Sequence, residues 1–103
     1  MKNEYCLILT TTDNHDIAEK IAFVLVENDL AKCTQIDQVK SYCKWEGKSI
    51  CDNEYRIMIK ANAKQYSAIE NEILKNHNYK LPQIIKLEIK DGFPAYLEWL
   101  NQK

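Results

Sequence analysis

Apolar residues recur along this chain in two rhythms, one suited to strands and one to helices. Tyr5-Cys6-Leu7-Ile8-Leu9 is an unbroken apolar run that passes into Thr10-Thr11-Thr12 and breaks at Asp13-Asn14, which predicts a buried first strand. Ile17, Ala18, Ile21, Ala22, Val24, Leu25 and Asn28 then follow at helical spacing. Asp13 is the predicted cap of that helix. Asp16 and Glu19 occupy its first turns, where the helix dipole favours negative charge, and the pattern ends near Asn28-Asp29.

Two long extended stretches come next, Cys33 to Trp45 and Lys48 to Lys60, joined by Glu46-Gly47. Glycine supplies the positive φ that a tight hairpin turn needs. A strand as long as Cys33 to Trp45 spans roughly 40 Å, whereas a domain of this size has a radius of gyration of about 13 Å. The ribbon is therefore expected to overhang its own domain. A two-stranded ribbon is marginal alone in water, so the overhang predicts contact with a neighbouring subunit. Tyr66, Ile69, Ile73 and His77 mark a second helix with Asn62 as its cap, and Ile84 to Ile89 reads as a fourth strand after Pro82. Beyond Asp91-Gly92, Pro94 opens a short helix with Tyr96, Trp99 and Leu100 on one face.

The order β-α-β-β-α-β with a terminal helix predicts an α+β, ferredoxin-like sandwich, a single domain over residues 1–103. Two helices cover one face of such a sheet. Successive strand residues point opposite ways, so the runs at Tyr5 to Leu9, Ile57 to Ile59 and Ile84-Ile85 place apolar side chains on both faces. A lone subunit would expose a wide apolar face. The pattern predicts an oligomer and does not choose between dimer and trimer.

Composition narrows the partners. Fourteen Lys and Arg against fifteen Asp and Glu give a net charge of −1, without the basic excess that nucleic-acid binding draws on. No stretch approaches the ~20 apolar residues of a membrane span. Met1-Lys2-Asn3-Glu4 leads into an apolar run too short for a signal-peptide core, so a cytoplasmic location is expected. Cys6, Cys33, Cys43 and Cys51 form no C-x-x-C pair, and reduced thiols are the expectation. Phosphate-loop, G-x-S-x-G and H-E-x-x-H signatures are absent, which argues against an enzyme. The start of the first helix, after Thr10-Thr11-Thr12, is a place where a phosphate would be welcome, as it is at any capped helix.

The turn Ser41-Tyr42-Cys43-Lys44-Trp45-Glu46-Gly47-Lys48, with Leu7-Ile8-Leu9-Thr10-Thr11, Lys32-Cys33, Ile57-Met58-Ile59-Lys60, His77-Asn78-Tyr79-Lys80-Leu81-Pro82 and Gly92-Phe93-Pro94-Ala95-Tyr96-Leu97-Glu98-Trp99, resembles the CutA family. These are small trimeric proteins linked to divalent-cation tolerance. The resemblance implies a homotrimer with a non-enzymatic role, no required cofactor, and Cu²⁺ or another divalent cation as the ligand to test. It also implies that His77 sits where the family has a copper ligand. Thr10 stands where the family's best-known type has a cysteine ligand, and Asn76 where it has a second histidine. Asn78 and Lys80 replace the proline and glutamate of a His-Pro-Tyr-Glu motif. One imidazole without a thiolate makes a poor copper site, and the competing reading of His77 is a helix-terminal histidine favoured by the dipole.

The cysteines do not restore a site. With a two-residue loop at Glu46-Gly47, Cys43 pairs with Ile50 and Cys51 with Tyr42, so the thiols face opposite sides of the ribbon; a three-residue loop would set them opposite one another. Cys33 and Cys6 read as core. His15, beside Asp13 and Asp16, reads as a solvated first-turn residue, and Trp45 at the ribbon end as a subunit anchor. The resemblance further implies Cys33, Tyr42, Trp45, Glu54, Lys60, Tyr79, Tyr96 and Trp99 as the candidate lining of an intersubunit cleft in a trimer of the family's kind. Within it, Glu54, Lys60 and Tyr79 are expected to form a polar pocket. A sensor trimer resembling the PII proteins, which share the fold, is the alternative reading, and a structural assembly module is the third.

Overall fold

The computed structural model describes residues 4–102. Met1 to Asn3, on which the expectation of no leader partly rests, and Lys103 at the end of the predicted domain lie outside the described residues. The order is β1 (Tyr5–Thr12), α1 (His15–Glu27), β2 (Cys33–Trp45), β3 (Lys48–Asn62), a 3₁₀ turn (Ala63–Gln65), α2 (Tyr66–Asn76), β4 (Ile84–Glu88) and α3 (Pro94–Asn101). The strands form one sheet in the order β2-β3-β1-β4, with every neighbouring pair antiparallel. That is the ferredoxin-like α+β arrangement expected from the hydrophobic pattern.

Alternation along the strands sorts the side chains into two faces. On one, Cys6, Ile8, Ile57, Ile59 and Ala61 are buried with Ala18, Ile21 and Leu25 of α1 and Ile69 and Ile73 of α2. On the other, Leu7 lies opposite Leu87, and Leu9 lies between Met58 and Ile85. Neither α1 nor α2 covers this second face, and Ile85 and Leu87 remain 44% and 47% exposed.

Local differences from the sequence reading have local causes. Asn14, not Asp13, caps α1, because its Oδ1 reaches the Ile17 N–H three residues on, at 3.0 Å. Asp13 instead accepts from Asn78. Asn62 caps the 3₁₀ turn through the Lys64 N–H, and α2 starts at Tyr66 with no side-chain cap. His77 leaves the helix with extended backbone, at φ −82° and ψ 151°. β3 runs on to Asn62, beyond the expected Lys60, and β4 stops at Glu88. Cys6 is fully buried, whereas Cys33 is only half-buried, on the face opposite α1 and α2. In α3 only Leu100 is buried, so Tyr96 and Trp99 do not share its environment.

The ribbon has the register of a two-residue loop, from Trp45↔Lys48 down to Cys33↔Lys60. Glu46 and Gly47 both have positive φ, 51° and 80°, the requirement of a type I′ turn. β1 reaches β3 only as far as Tyr55. Val39–Trp45 and Lys48–Glu54 therefore pair only with each other and stretch the molecule to 44 × 25 × 21 Å.

Candidate functional site

Three consecutive residues after α2 tie the chain to four partners distant in sequence. His77 Nε2 lies 2.8 Å from the Thr11 carbonyl oxygen, and the Tyr79 N–H donates to His77 Nδ1 at 3.0 Å. Asn78 accepts from the Thr12 hydroxyl at 2.6 Å and donates to Asp13 at 3.0 Å. The Tyr79 hydroxyl donates to Glu54 Oε2 at 2.6 Å, while the Ser41 hydroxyl donates to Glu54 Oε1 at 2.7 Å. A single short loop thus fastens the end of β1 to the root of the overhanging ribbon, since Val39↔Glu54 is the first ribbon pair beyond the reach of β1.

The electrostatics follow from this geometry. Burial pushes the Tyr79 phenol well above its ordinary range, and the Glu54 carboxylate it donates to pushes the same way. Burial lowers the pKa of His77, against the opposing pull of the Thr11 carbonyl and of the charges on Asp13 and Glu54. Both oxygens of the nearly buried Glu54 are occupied by hydroxyl donors, so the carboxylate is hydrogen-bonded within the chain.

The eight expected cleft residues fall into three places in one subunit. Glu54 and Tyr79 meet directly. Lys60 does not join them, because six residues along β3 put it roughly 20 Å away. It pairs with Cys33 and sets its ammonium over the Tyr96 ring, 5.7 Å from the centroid. Tyr96 in turn lies 5.6 Å from Trp99, whose ring carries Lys32 at 4.9 Å. Tyr42 and Trp45 stand far off at the ribbon end, 75% and 54% exposed. Cys43 and Cys51 point to opposite faces, as a two-residue loop requires.

Thr10, at the family's cysteine position, is fully buried on the helix-covered face, and its Oγ1 has no hydrogen-bond partner among the described residues. Asn76 folds back on Glu72. Among the described residues no group of three or more His, Cys, Asp or Glu side chains is placed to hold a metal ion. His15 lies on the surface beside Asp16 and Glu19, with its ring edge-on to Tyr55. Sequence reasoning missed Ser41, Thr11, and the anchoring role of Asn78. Ser41 could have been found from the ribbon register, which makes it the diagonal same-face neighbour of Glu54.

A ferredoxin-like domain with an overlong β2-β3 ribbon, tied at its root by a His-x-Tyr loop, defines a distinct class of small α+β protein. The chain belongs to the CutA1 divalent ion tolerance protein family, whose profile it matches over residues 6–103. It is 30% identical over 95 residues to the divalent-cation tolerance protein CutA of Archaeoglobus fulgidus, covering 92% of this chain and 93% of that one. It is 37% identical over 92 residues to a CutA homolog of Xenopus laevis, covering 88% of this chain and 61% of that longer protein. The solved structure of the stable CutA1 from Shewanella sp. SIB1 superposes with a TM-score of 0.91 at 39% identity, over 97% of this chain and 94% of that chain. These matches favour the cation-tolerance family over the sensor alternative. No described helix is long and apolar enough to cross a membrane. Relatives include a chloroplastic form in Arabidopsis thaliana and one described as periplasmic in Archaeoglobus fulgidus.

Proposed function

We propose that this chain is a cytoplasmic, non-enzymatic divalent-cation tolerance protein that works as a homotrimer, with no required cofactor and with neither nucleic acid nor membrane as a partner. The observation that carries the reading is the sheet face of Leu7, Leu9, Met58, Ile85 and Leu87, which neither α1 nor α2 covers and on which Ile85 and Leu87 stay exposed. An apolar face of this kind on a soluble chain calls for a partner surface. The overhanging ribbon, with Tyr42 and Trp45 at its end, is a second surface that needs support from outside the subunit. Assembly would bring the three separated groups of cleft residues toward those of neighbouring copies, and we place the functional cleft there.

A non-enzymatic role is supported by the state of the polar groups. Glu54 accepts two hydroxyls and both nitrogens of His77 have backbone partners, so neither is free to act as acid, base or nucleophile. Native mass spectrometry of the reduced protein, with and without stoichiometric Cu²⁺, tests the proposal. The expected species is a three-copy assembly whose copper is lost easily. A monomer at low micromolar concentration overturns the assembly, and three firmly held ions overturn the picture of a chain without a dedicated copper site.

A further inference from the structure

The copper-ligand role that the CutA resemblance attaches to His77 does not fit the surroundings of its ring. A carbonyl oxygen only accepts hydrogen bonds and a backbone N–H only donates them. The Thr11 carbonyl at Nε2 and the Tyr79 N–H at Nδ1 therefore define a neutral imidazole with its proton on Nε2 and its lone pair on Nδ1 already in use. A metal ion needs that lone pair. Capturing it would strand the Tyr79 N–H, and turning the ring to offer Nε2 would strand the Thr11 carbonyl as well. An orphaned half-buried donor or acceptor carries a desolvation penalty that a single metal–imidazole bond would have to offset. Thr10 does not compensate, because it offers only a hydroxyl buried on the helix-covered face, and the nearby carboxylates are already engaged, Asp13 with Asn78 and Glu54 with Ser41 and Tyr79.

We infer that His77 is a positioning residue, a clasp between β1 and the loop before β4, and that copper bound by this protein does not use it. The β4 ladder ends at Thr10↔Ile84. One residue further along β1, His77 supplies a donor to Thr11. Its other nitrogen fixes the backbone of Tyr79, whose ring lies 4.9 Å from the imidazole and whose hydroxyl then reaches Glu54 at the ribbon root. The spacing His-x-Tyr suits this arrangement, because one residue accepts the N–H of the other across a single turn. The clasp closes within one subunit, so it stands or falls independently of the trimer proposed above.

Long-range ¹H–¹⁵N NMR of the imidazole in the intact protein, without metal and with one equivalent of Zn²⁺, reads the tautomer and the lone pair directly. The expected spectrum is that of an Nε2-protonated ring whose Nδ1 resonance Zn²⁺ leaves unmoved. An Nδ1-protonated ring, or a ring nitrogen that shifts and saturates at one Zn²⁺ per chain, overturns the inference. Calorimetric titration with Cu²⁺ of wild type, His77→Ala and His77→Gln adds a second reading. The expected change in affinity is under about threefold, against the 10–100-fold loss that disturbing even a supporting group of a metal site brings. A loss of that size in both variants also overturns it. His77→Gln, which keeps one donor and one acceptor, is expected to melt closer to wild type than His77→Ala. Equal melting of the two variants counts against the clasp, and the wild-type spectrum decides the matter even where a variant fails to fold.

Discussion

The two faces of the sheet are built from similar residues and end in opposite states. Ile8, Ile57 and Ile59 on the helix-covered face are completely buried within the subunit, whereas Leu87 and Ile85, on the other face of the same sheet, keep almost half of their surface. The difference lies in what packs against each face. α1 and α2 bring Ile21, Leu25, Ile69 and Ile73 down on the first. Burial of that kind stabilises a fold by ~25 cal/mol for each Å² of apolar surface removed from water, so the covered face holds the fold, and the open face would gain the same only in the proposed assembly.

The largest effects should separate these roles. Ile59→Ala leaves a cavity in the closed core and is expected to cost about 3 kcal/mol, equally at every protein concentration. Leu87→Ala on the open face is expected to cost under about 1 kcal/mol in an isolated subunit, and more once copies cover it. Its penalty should then depend on protein concentration, as assembly-linked stability does. Denaturant titrations at two well-separated concentrations measure both. Two penalties that are the same size and insensitive to concentration would break the contrast between the faces.

Tyr79→Phe probes the root of the ribbon, at the boundary between closed and open regions. Removing the hydroxyl takes one of two donors from a nearly buried carboxylate, with an expected cost of about 2 kcal/mol. The pH dependence has a definite sign. The phenol pKa is raised in the folded state by burial and by Glu54, so its contribution is fully present below the unfolded value of about 10 and is lost as pH rises beyond it. The variant should lose part of the wild type's alkaline fall in stability. Tyr66, raised by burial and by Glu70, and the Cys6 thiol, raised by burial, are expected to keep the rest of that slope in the variant. An alkaline slope identical in both proteins would show that Tyr79 is not the group held neutral.

Where a single rule governs an element, it is legible in the residues. Glu46-Gly47 demands a type I′ loop, and that one turn sets all of the ribbon pairs from Trp45↔Lys48 to Cys33↔Lys60. The apolar runs on both sheet faces likewise announce the uncovered surface. Where two residues compete for one task, the pattern fails. Asp13 and Asn14 are both good caps, and only the three-residue reach to Ile17 selects Asn14. His77 keeps helical spacing with Ile73 and yet breaks from the helix, because its ring bonds to Thr11, 66 residues earlier in the chain. Glu54 and Tyr79 come together as expected, but Lys60 shares only the strand and face of Glu54, and distance along an extended chain separates it from both. Long-range side-chain bonds have no periodicity, and that is why the clasp is invisible before the fold is known.

Thr10 tests the closed face by its smallest flaw. Its hydroxyl is fully buried among Ile8, Ile57 and Ile84 neighbours and has no hydrogen-bond partner among the described residues. A buried polar group left unmatched costs ~1–3 kcal/mol, whereas an apolar group of the same shape carries no such penalty. Valine keeps the β-branched shape and strand preference of threonine. Thr10→Val is therefore expected to stabilise the subunit by about 1 kcal/mol, raising its denaturation midpoint without changing the slope of the transition. A loss of stability would mean that the hydroxyl is matched in solution, adding a polar contact to the Thr34 and Thr12 hydroxyl bonds that the closed face already holds.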